Sequence, residues 1–231
     1  EGPVSRAADR TIEVSLPDMG RSPGIRTYNA SLMSLLLLAI RLGEMKDRYH
    51  QVEANKMRQE IGQLAEVMEA TIQANHAPAI KAAQDFLGAP YTVFLGSGPS
   101  YGTALFSAAN IIASAHEFAV GQDLEEWAHV ENLAYPDETP TFVIAPAGRS
   151  HWRAIGIVEK AKGKGRRVAA VVPEDDGEIS GMVDYLFPVV GNVREEFSPL
   201  VYHIAADLFA AYLTGGLGRK IFQPDNPAFR L

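Results

Sequence analysis

Residues Tyr91–Ile112 read YTVFLGSGPSYGTALFSAANII, and this stretch decides how the rest of the chain is read. Tyr91 to Leu95 is β-branched and aromatic, with Ala89-Pro90 before it and Gly96 after it, which predicts a buried strand. Gly96-Ser97-Gly98-Pro99-Ser100 is a turn whose glycines permit positive φ and let a ligand approach the backbone. From Ser100 the apolar positions Leu105, Ala108, Ala109 and Ile112 recur at helical spacing, with Ser100 placed as the N-cap. A strand that turns into a helix start offers free N–H groups and a positive dipole end, which suits an anion. The hydroxyls of Ser97, Ser100 and Thr103 add neutral donors around the same point. The turn is not the dinucleotide fingerprint GxGxxG: Tyr101 stands where the third glycine belongs, and no Walker lysine follows. A tight strand-to-helix turn with no ligand would have the same sequence, so both readings stay open on the turn alone.

Working outward, Glu117–Val120, Thr141–Ile144, Arg167–Val172 and Asp184–Val190 are strand-like, which with the first strand makes five. Between them lie a polar segment of helical spacing at Asp123–Leu133 and a helix from Ser150 to Lys162, with Ser150 as its N-cap. An apolar helix is expected over Pro199–Leu213. Upstream, Tyr28 to about Arg48 is a strongly apolar helix, and Gln51–Asn75 carries Val52, Met57, Ile61, Leu64, Val67, Met68 and Ile72 on one face. Pro78 is read as opening a further helix through Phe86, and Thr11–Leu16 as a short strand. Strands alternating with helices imply βαβ units, hence a three-layer α/β sandwich with a parallel, five-stranded sheet flanked by helices. In such sheets ligands bind beyond the carboxyl ends of the strands. The turns Gly96–Ser100 and Ala145–Ser150 therefore belong on one edge, and their convergence favours the ligand-binding reading of the first.

The 231 residues are 47% hydrophobic and 21% charged, ordinary globular composition with ample material for a core. A net charge of −7 without a basic stripe argues against a nucleic-acid partner. Lys160–Arg167, the densest basic run, reads as a helix C-terminus and turn. With no cysteine, disulfides and thiolate metal sites are excluded, and a reducing cytoplasm is the expected location. The apolar run Leu32–Ile40 is too short for a bilayer, which needs about 20 residues, so no membrane partner is expected. The chain opens at Glu1-Gly2-Pro3 without an initiator Met, which reads as a processed or trimmed product.

Phe94-Leu95-Gly96-Ser97-Gly98-Pro99-Ser100-Tyr101, then Ala104-Leu105, then Glu125-Glu126-Trp127-Ala128-His129, resemble the SIS (sugar isomerase) domain family. The likeness is to the second SIS repeat of two-repeat phosphosugar isomerases and their deglycase and deaminase relatives. Ser198-Pro199-Leu200-Val201-Tyr202 and Gln223-Pro224-Asp225-Asn226 resemble the way those proteins end. Ala7-Ala8-Asp9 and Arg26-Thr27-Tyr28-Asn29-Ala30 look like the end of a first repeat and its linker. The resemblance thus implies residues 1–48 as the end of a preceding repeat with a linker helix, and 49–231 as the SIS domain. It also implies a sugar phosphate as ligand. The departures are specific. Asn110 and Ala113 stand where the family carries a lysine and a catalytic glutamate. The second turn, Ala145-Pro146-Ala147-Gly148-Arg149-Ser150, keeps only Gly148 and one hydroxyl of the family's Ser-x-Ser-Gly-x-Thr. Val130-Glu131 replaces the Gly-Pro that follows the family's histidine.

Aldose–ketose interconversion needs a base for the proton beside the carbonyl and a group that assists ring opening; a carboxylate and a histidine serve. His129 matches the family's ring-opening position, and Glu126, three residues earlier on a helix, is placed to orient it. A solvated histidine beside a solvated acidic face is the competing reading of both. Gly96, Ser97, Gly98, Ser100, Thr103 and Ser150 are the candidate substrate-binding residues. Glu126, His129 and Glu131 lack metal-ligand spacing, so neither a metal nor any other cofactor is expected. Glu117 would face the site only if its helix ran on, and Trp127 and Trp152 are read as packing groups. The two very apolar helices, at Leu32–Ile40 and Val201–Leu213, are expected to be buried against another repeat or subunit, with a homodimer as the assembly. The enzyme reading, an isomerase, deaminase or deglycase, stands beside that of a phosphosugar-sensing module that has lost catalysis.

Overall fold

A computed structural model describes residues 2–18, 20, 23–134 and 136–227. In chain order its elements are α1 (Pro3–Ala7), α2 (Ile25–Met45), α3 (Gln51–Asp85), β1 (Thr92–Gly96), α4 (Pro99–Ala115), β2 (Ala119–Asp123) and α5 (Leu124–His129). There follow β3 (Thr141–Ile144), α6 (His151–Gly163), β4 (Val168–Pro173), β5 (Tyr185–Val189) and α7 (Ile204–Gly216), with 3-10 turns at Glu131–Leu133 and Glu195–Leu200. The five strands form one sheet in the order β2-β1-β3-β4-β5. All four pairings are parallel, with Phe94 beside Phe142 and Val171 beside Phe187 in the register. This is the expected five-stranded α/β sandwich.

Alternation along the strands makes two cores, because successive side chains point to opposite faces. Phe94, Phe142, Ile144, Val171 and Phe187 pack with α3, α4 and α7 on one face, while Val93, Leu95, Val143, Ala170 and Val172 pack with α5 and α6 on the other. The first core centres on packed aromatics: Phe94 stacks on Phe142 at 4.8 Å, and Phe209 lies tilted against Phe142 at 4.9 Å. Each such buried ring stabilises the fold by about 1.5–3 kcal/mol through area removed from water. The three central strands, β1, β3 and β4, are buried on both faces, which is why they read as near-continuous apolar runs.

Several boundaries differ from expectation. Thr11–Leu16 is irregular and exposed, and among the described residues no strand pairs with it. Pro78 opens no helix and sits inside α3, which runs unbroken to Asp85. Next to it the Asn75 amide donates to the carbonyls of Thr71 and Pro188, both at 2.7 Å. That anchor to β5 and the burial of Ala79 hold the helix together where the ring removes a hydrogen bond. Helix α4 starts at Pro99 with Gly98, not Ser100, as its N-cap; Ser100 lies in the first turn and is buried. Ser150 holds the N-cap position of α6, but its hydroxyl makes no capping bond. The expected helix Pro199–Leu213 is instead a 3-10 turn followed by α7 from Ile204.

Helix α2 buries Ala30 and Ile40 but exposes Leu35 (62%) and Met45 (65%), whereas α7 is largely buried within the domain. Among the described residues no helix is long and apolar enough to cross a membrane.

Candidate functional site

The chain leaves β1 for β2 on one side and crosses to β3 on the other, so the switch point of the sheet lies between β1 and β3. Loops diverge there, and the gap beyond the strand ends is where ligands bind in such sheets. An open cleft of about 530 Å³ occupies this position. Ser97, Gly98 and Pro99 line it from the turn after β1, and Arg149 and Ser150 from the turn after β3. Trp152 and Arg153 come from α6, Glu125 from α5, and Glu195 and Glu196 from the 3-10 turn after β5.

The first turn is held in place by its neighbours. The Ser97 hydroxyl donates to Oδ2 of Asp123 at 2.6 Å, joining the ends of β1 and β2. Oδ1 of the same carboxylate accepts the Glu125 N–H at 2.9 Å and so caps α5. Gly98 adopts φ 58° and ψ −128°, a conformation closed to most side chains. Of the expected binding residues, Ser97, Gly98 and Ser150 line the cleft. Gly96 ends β1, and Ser100 and Thr103 are fully buried on α4 outside the lining.

Those two belong to a stripe along α4. Ser100, Thr103, Ser107, Asn110 and Ser114 recur every three or four residues and are all buried. The Asn110 amide donates to Oδ1 of Asp207 at 2.6 Å and the Ser114 hydroxyl to Oδ1 of Asn110 at 2.9 Å. Beside this stripe, burial pushes the Tyr28 phenol up to about 12. Asn110 is thus committed to an internal network.

His129 ends α5 with its side chain 76% exposed, and its Nε2 lies 3.6 Å from Oε2 of Glu125. Glu125, not Glu126, is the carboxylate beside the imidazole. The reason is spacing: residues four apart overlie each other on this short helix. Glu125 also accepts from Arg153 Nη2 at 2.8 Å, and this hydrogen bond holds its carboxyl below the usual range. An imidazole–carboxylate–guanidinium chain therefore runs from His129 to the cleft wall. Trp127 is fully buried, as expected of a packing group, but Trp152 is 71% exposed at the cleft. Helix α4 ends at Ala115, His116 turns left-handed at φ 56°, and Glu117 pairs with Arg219. Arg26 donates to the Pro17 carbonyl at 3.1 Å.

Two arrangements were not foreseen. Oε2 of Glu195 accepts the Arg149 N–H at 3.1 Å, across 46 residues of sequence. A Cβ at position 148 would overlap that carboxylate, so a side chain there would have to push the Glu195 carboxylate aside. His151 Nε2 lies 2.9 Å from Oδ2 of Asp176, whose Oδ1 accepts the Ile179 N–H at 2.7 Å. Neither was legible in the sequence, where Gly148 reads only as the glycine that the second turn keeps. Among the described residues no three His, Asp or Glu side chains gather at one point to hold a metal.

No protein-family model matches the chain. The glutamine–fructose-6-phosphate aminotransferase [isomerizing] of Nostoc sp. (strain PCC 9229) is 25% identical over 203 residues, 88% of this chain and 32% of that protein. The protein of the same name from Pyrococcus horikoshii is 26% identical over 231 residues, 97% of this chain and 36% of that one. The chain thus spans about a third of the length of these curated relatives. Among solved structures, the C-terminal domain of glucosamine-fructose-6-phosphate aminotransferase from Francisella tularensis superposes with a TM-score of 0.76 at 15% identity. That match covers 87% of this chain and 56% of the solved one, and it shows a shared fold.

Proposed function

With the C-terminal SIS region of the isomerizing aminotransferases as its homologue, we propose that this chain binds a sugar phosphate in the cleft at the β1/β3 switch point. There it acts as an aldose–ketose isomerase, or as a deaminase or deglycase, on an amino-sugar or glycated amino acid phosphate. The observation that carries this reading is the convergence of Ser97, Gly98 and Ser150, from turns after two different strands, on one cleft wall. The first turn supplies backbone and hydroxyl donors to the sugar or its phosphate. His129 assists ring opening by moving a proton to or from the ring oxygen, with Glu126 and the nearer Glu125 as its carboxylate support. Enolisation needs only acid and base groups, so the proposal includes no metal or other cofactor.

The test is kinetic. A His129→Ala variant should lose turnover of a hexose 6-phosphate at least a hundredfold while keeping most of its affinity, and unchanged turnover would remove the enzymatic assignment.

One observation favours a second reading, a phosphosugar-sensing module without catalysis. Ala113 brings no carboxylate to α4, and the carboxyl beside His129 is already engaged by Arg153. Tight binding of hexose 6-phosphates with no conversion of any would select this reading.

The proposal extends to the organisation of the protein. Residues 1–48 are the end of a preceding repeat and its linker helix, and 49–231 the SIS domain. The exposed leucines of α2 are covered in a cytoplasmic homodimer, and no nucleic acid is bound.

A further inference from the structure

Glu195 follows β5, yet its carboxylate sits in the turn that follows β3. It accepts the Arg149 N–H at 3.1 Å and fills the space that any side chain at position 148 would need. The turn itself, Ala145-Pro146-Ala147-Gly148, brings no side-chain hydrogen-bond donor before Arg149. Charge in the cleft is shared among Glu125, Glu195, Glu196, Arg149 and Arg153, and Arg153 is already paired with Glu125. Glu195 and Glu196 thus stand against Arg149 alone in the remaining balance. A second anion brought to this turn would have to displace a carboxylate or lie beside it, where like charges in contact repel.

We propose that Glu195 is a specificity-determining residue that occupies the anion place of the second turn from within the chain. The cleft then refuses a phosphate or carboxylate at that end, and a ligand held by the first turn must present a neutral or cationic group to the second. The identity of that ligand rests on the sugar-phosphate reading above; the exclusion of anions by Glu195 does not.

Calorimetric titration of the full chain with inorganic phosphate, and separately with a hexose 6-phosphate, tests the two statements apart. Glu195→Gln keeps an acceptor for the Arg149 N–H and removes the charge. It should bind inorganic phosphate at least tenfold more tightly than the unaltered protein, and adding Arg149→Gln should cancel the gain. Glu195→Ala, checked for native circular dichroism, should show the same gain and is read in place of the Gln variant if that one misfolds. Phosphate binding no tighter than in the unaltered protein, or a gain that survives Arg149→Gln undiminished, overturns the assignment. Failure of the unaltered protein to bind any hexose 6-phosphate would instead count against the proposed function, while the inorganic-phosphate comparison still decides the role of Glu195.

Discussion

Nδ1 of His203 stands 2.5 Å from Oδ2 of Asp207, one turn further along α7, with the His203 side chain almost completely buried. The second ring nitrogen faces Oδ1 of Asn29 at 3.0 Å and the Leu200 carbonyl at 3.1 Å. Asp207 also takes the Asn110 amide, and the Tyr28 and Phe106 rings meet the imidazole edge-on at 5.4 and 5.7 Å. Four elements, α2, α4, α7 and the 3-10 turn before α7, are joined through this one pair. Its polar members are satisfied by one another, which is the condition under which buried charge is tolerated.

Removing one partner should therefore cost far more than a surface ion pair would. Asp207→Ala leaves the imidazole and the Asn110 amide without their shared acceptor, and a loss of about 3–5 kcal/mol is expected. Urea denaturation measures it, with hydrogen exchange reporting faster opening at Tyr28 and Asn29. A loss below about 1 kcal/mol, the range of exposed pairs, would mean that the network contributes little.

Gly98 combines φ 58° with ψ −128° at the start of α4. Although nothing lies within 4 Å of an added Cβ, that backbone conformation strains any other residue. Gly98→Ala should cost roughly 1–3 kcal/mol or shift the turn to relieve the strain. A lower melting temperature together with weaker hexose 6-phosphate affinity is the expected pair of results. An unaltered melting curve would show that this backbone does not constrain the turn.

Alkaline titration should separate the tyrosines. Burial pushes the phenols of Tyr28 and Tyr185 up to about 12, the latter with help from its hydrogen bond to Asp85, and burial raises Tyr202 as well. In an unfolded chain all ionise near about 10. Between about pH 10 and 12 the folded state holds protons that the unfolded state releases, so stability is intact below that window and falls as pH rises through it. Phenolate absorbance should show a late step for these three of the eight tyrosines, reduced by one in Tyr28→Phe. One transition near pH ~10 that includes all eight would contradict this.

Local patterning specified the sheet, because a strand buried on both faces must be apolar almost throughout. Val93-Phe94-Leu95, Phe142-Val143-Ile144 and Val168–Val172 can sit nowhere else. It pointed to the turn after β1 for a different reason: glycine between a strand and a helix allows the positive φ that Gly98 adopts. It went wrong where a neighbour distant in sequence outweighs local preference. Pro78 stays helical because Asn75 is bonded to β5, and Thr11–Leu16 is no strand because none of the described residues pairs with it.

Polar pairing in the cleft was decided by tertiary contacts alone. Glu195 takes the Arg149 backbone N–H across 46 residues, and Arg153 reaches Glu125 across 28. The buried pair of His203 and Asp207 depends in the same way on Asn110 and Asn29 from other helices. Periodicity reports which face of an element is apolar. Which side chains meet at the end of a sheet depends on where separate loops converge, and that follows from how the strands are ordered in space.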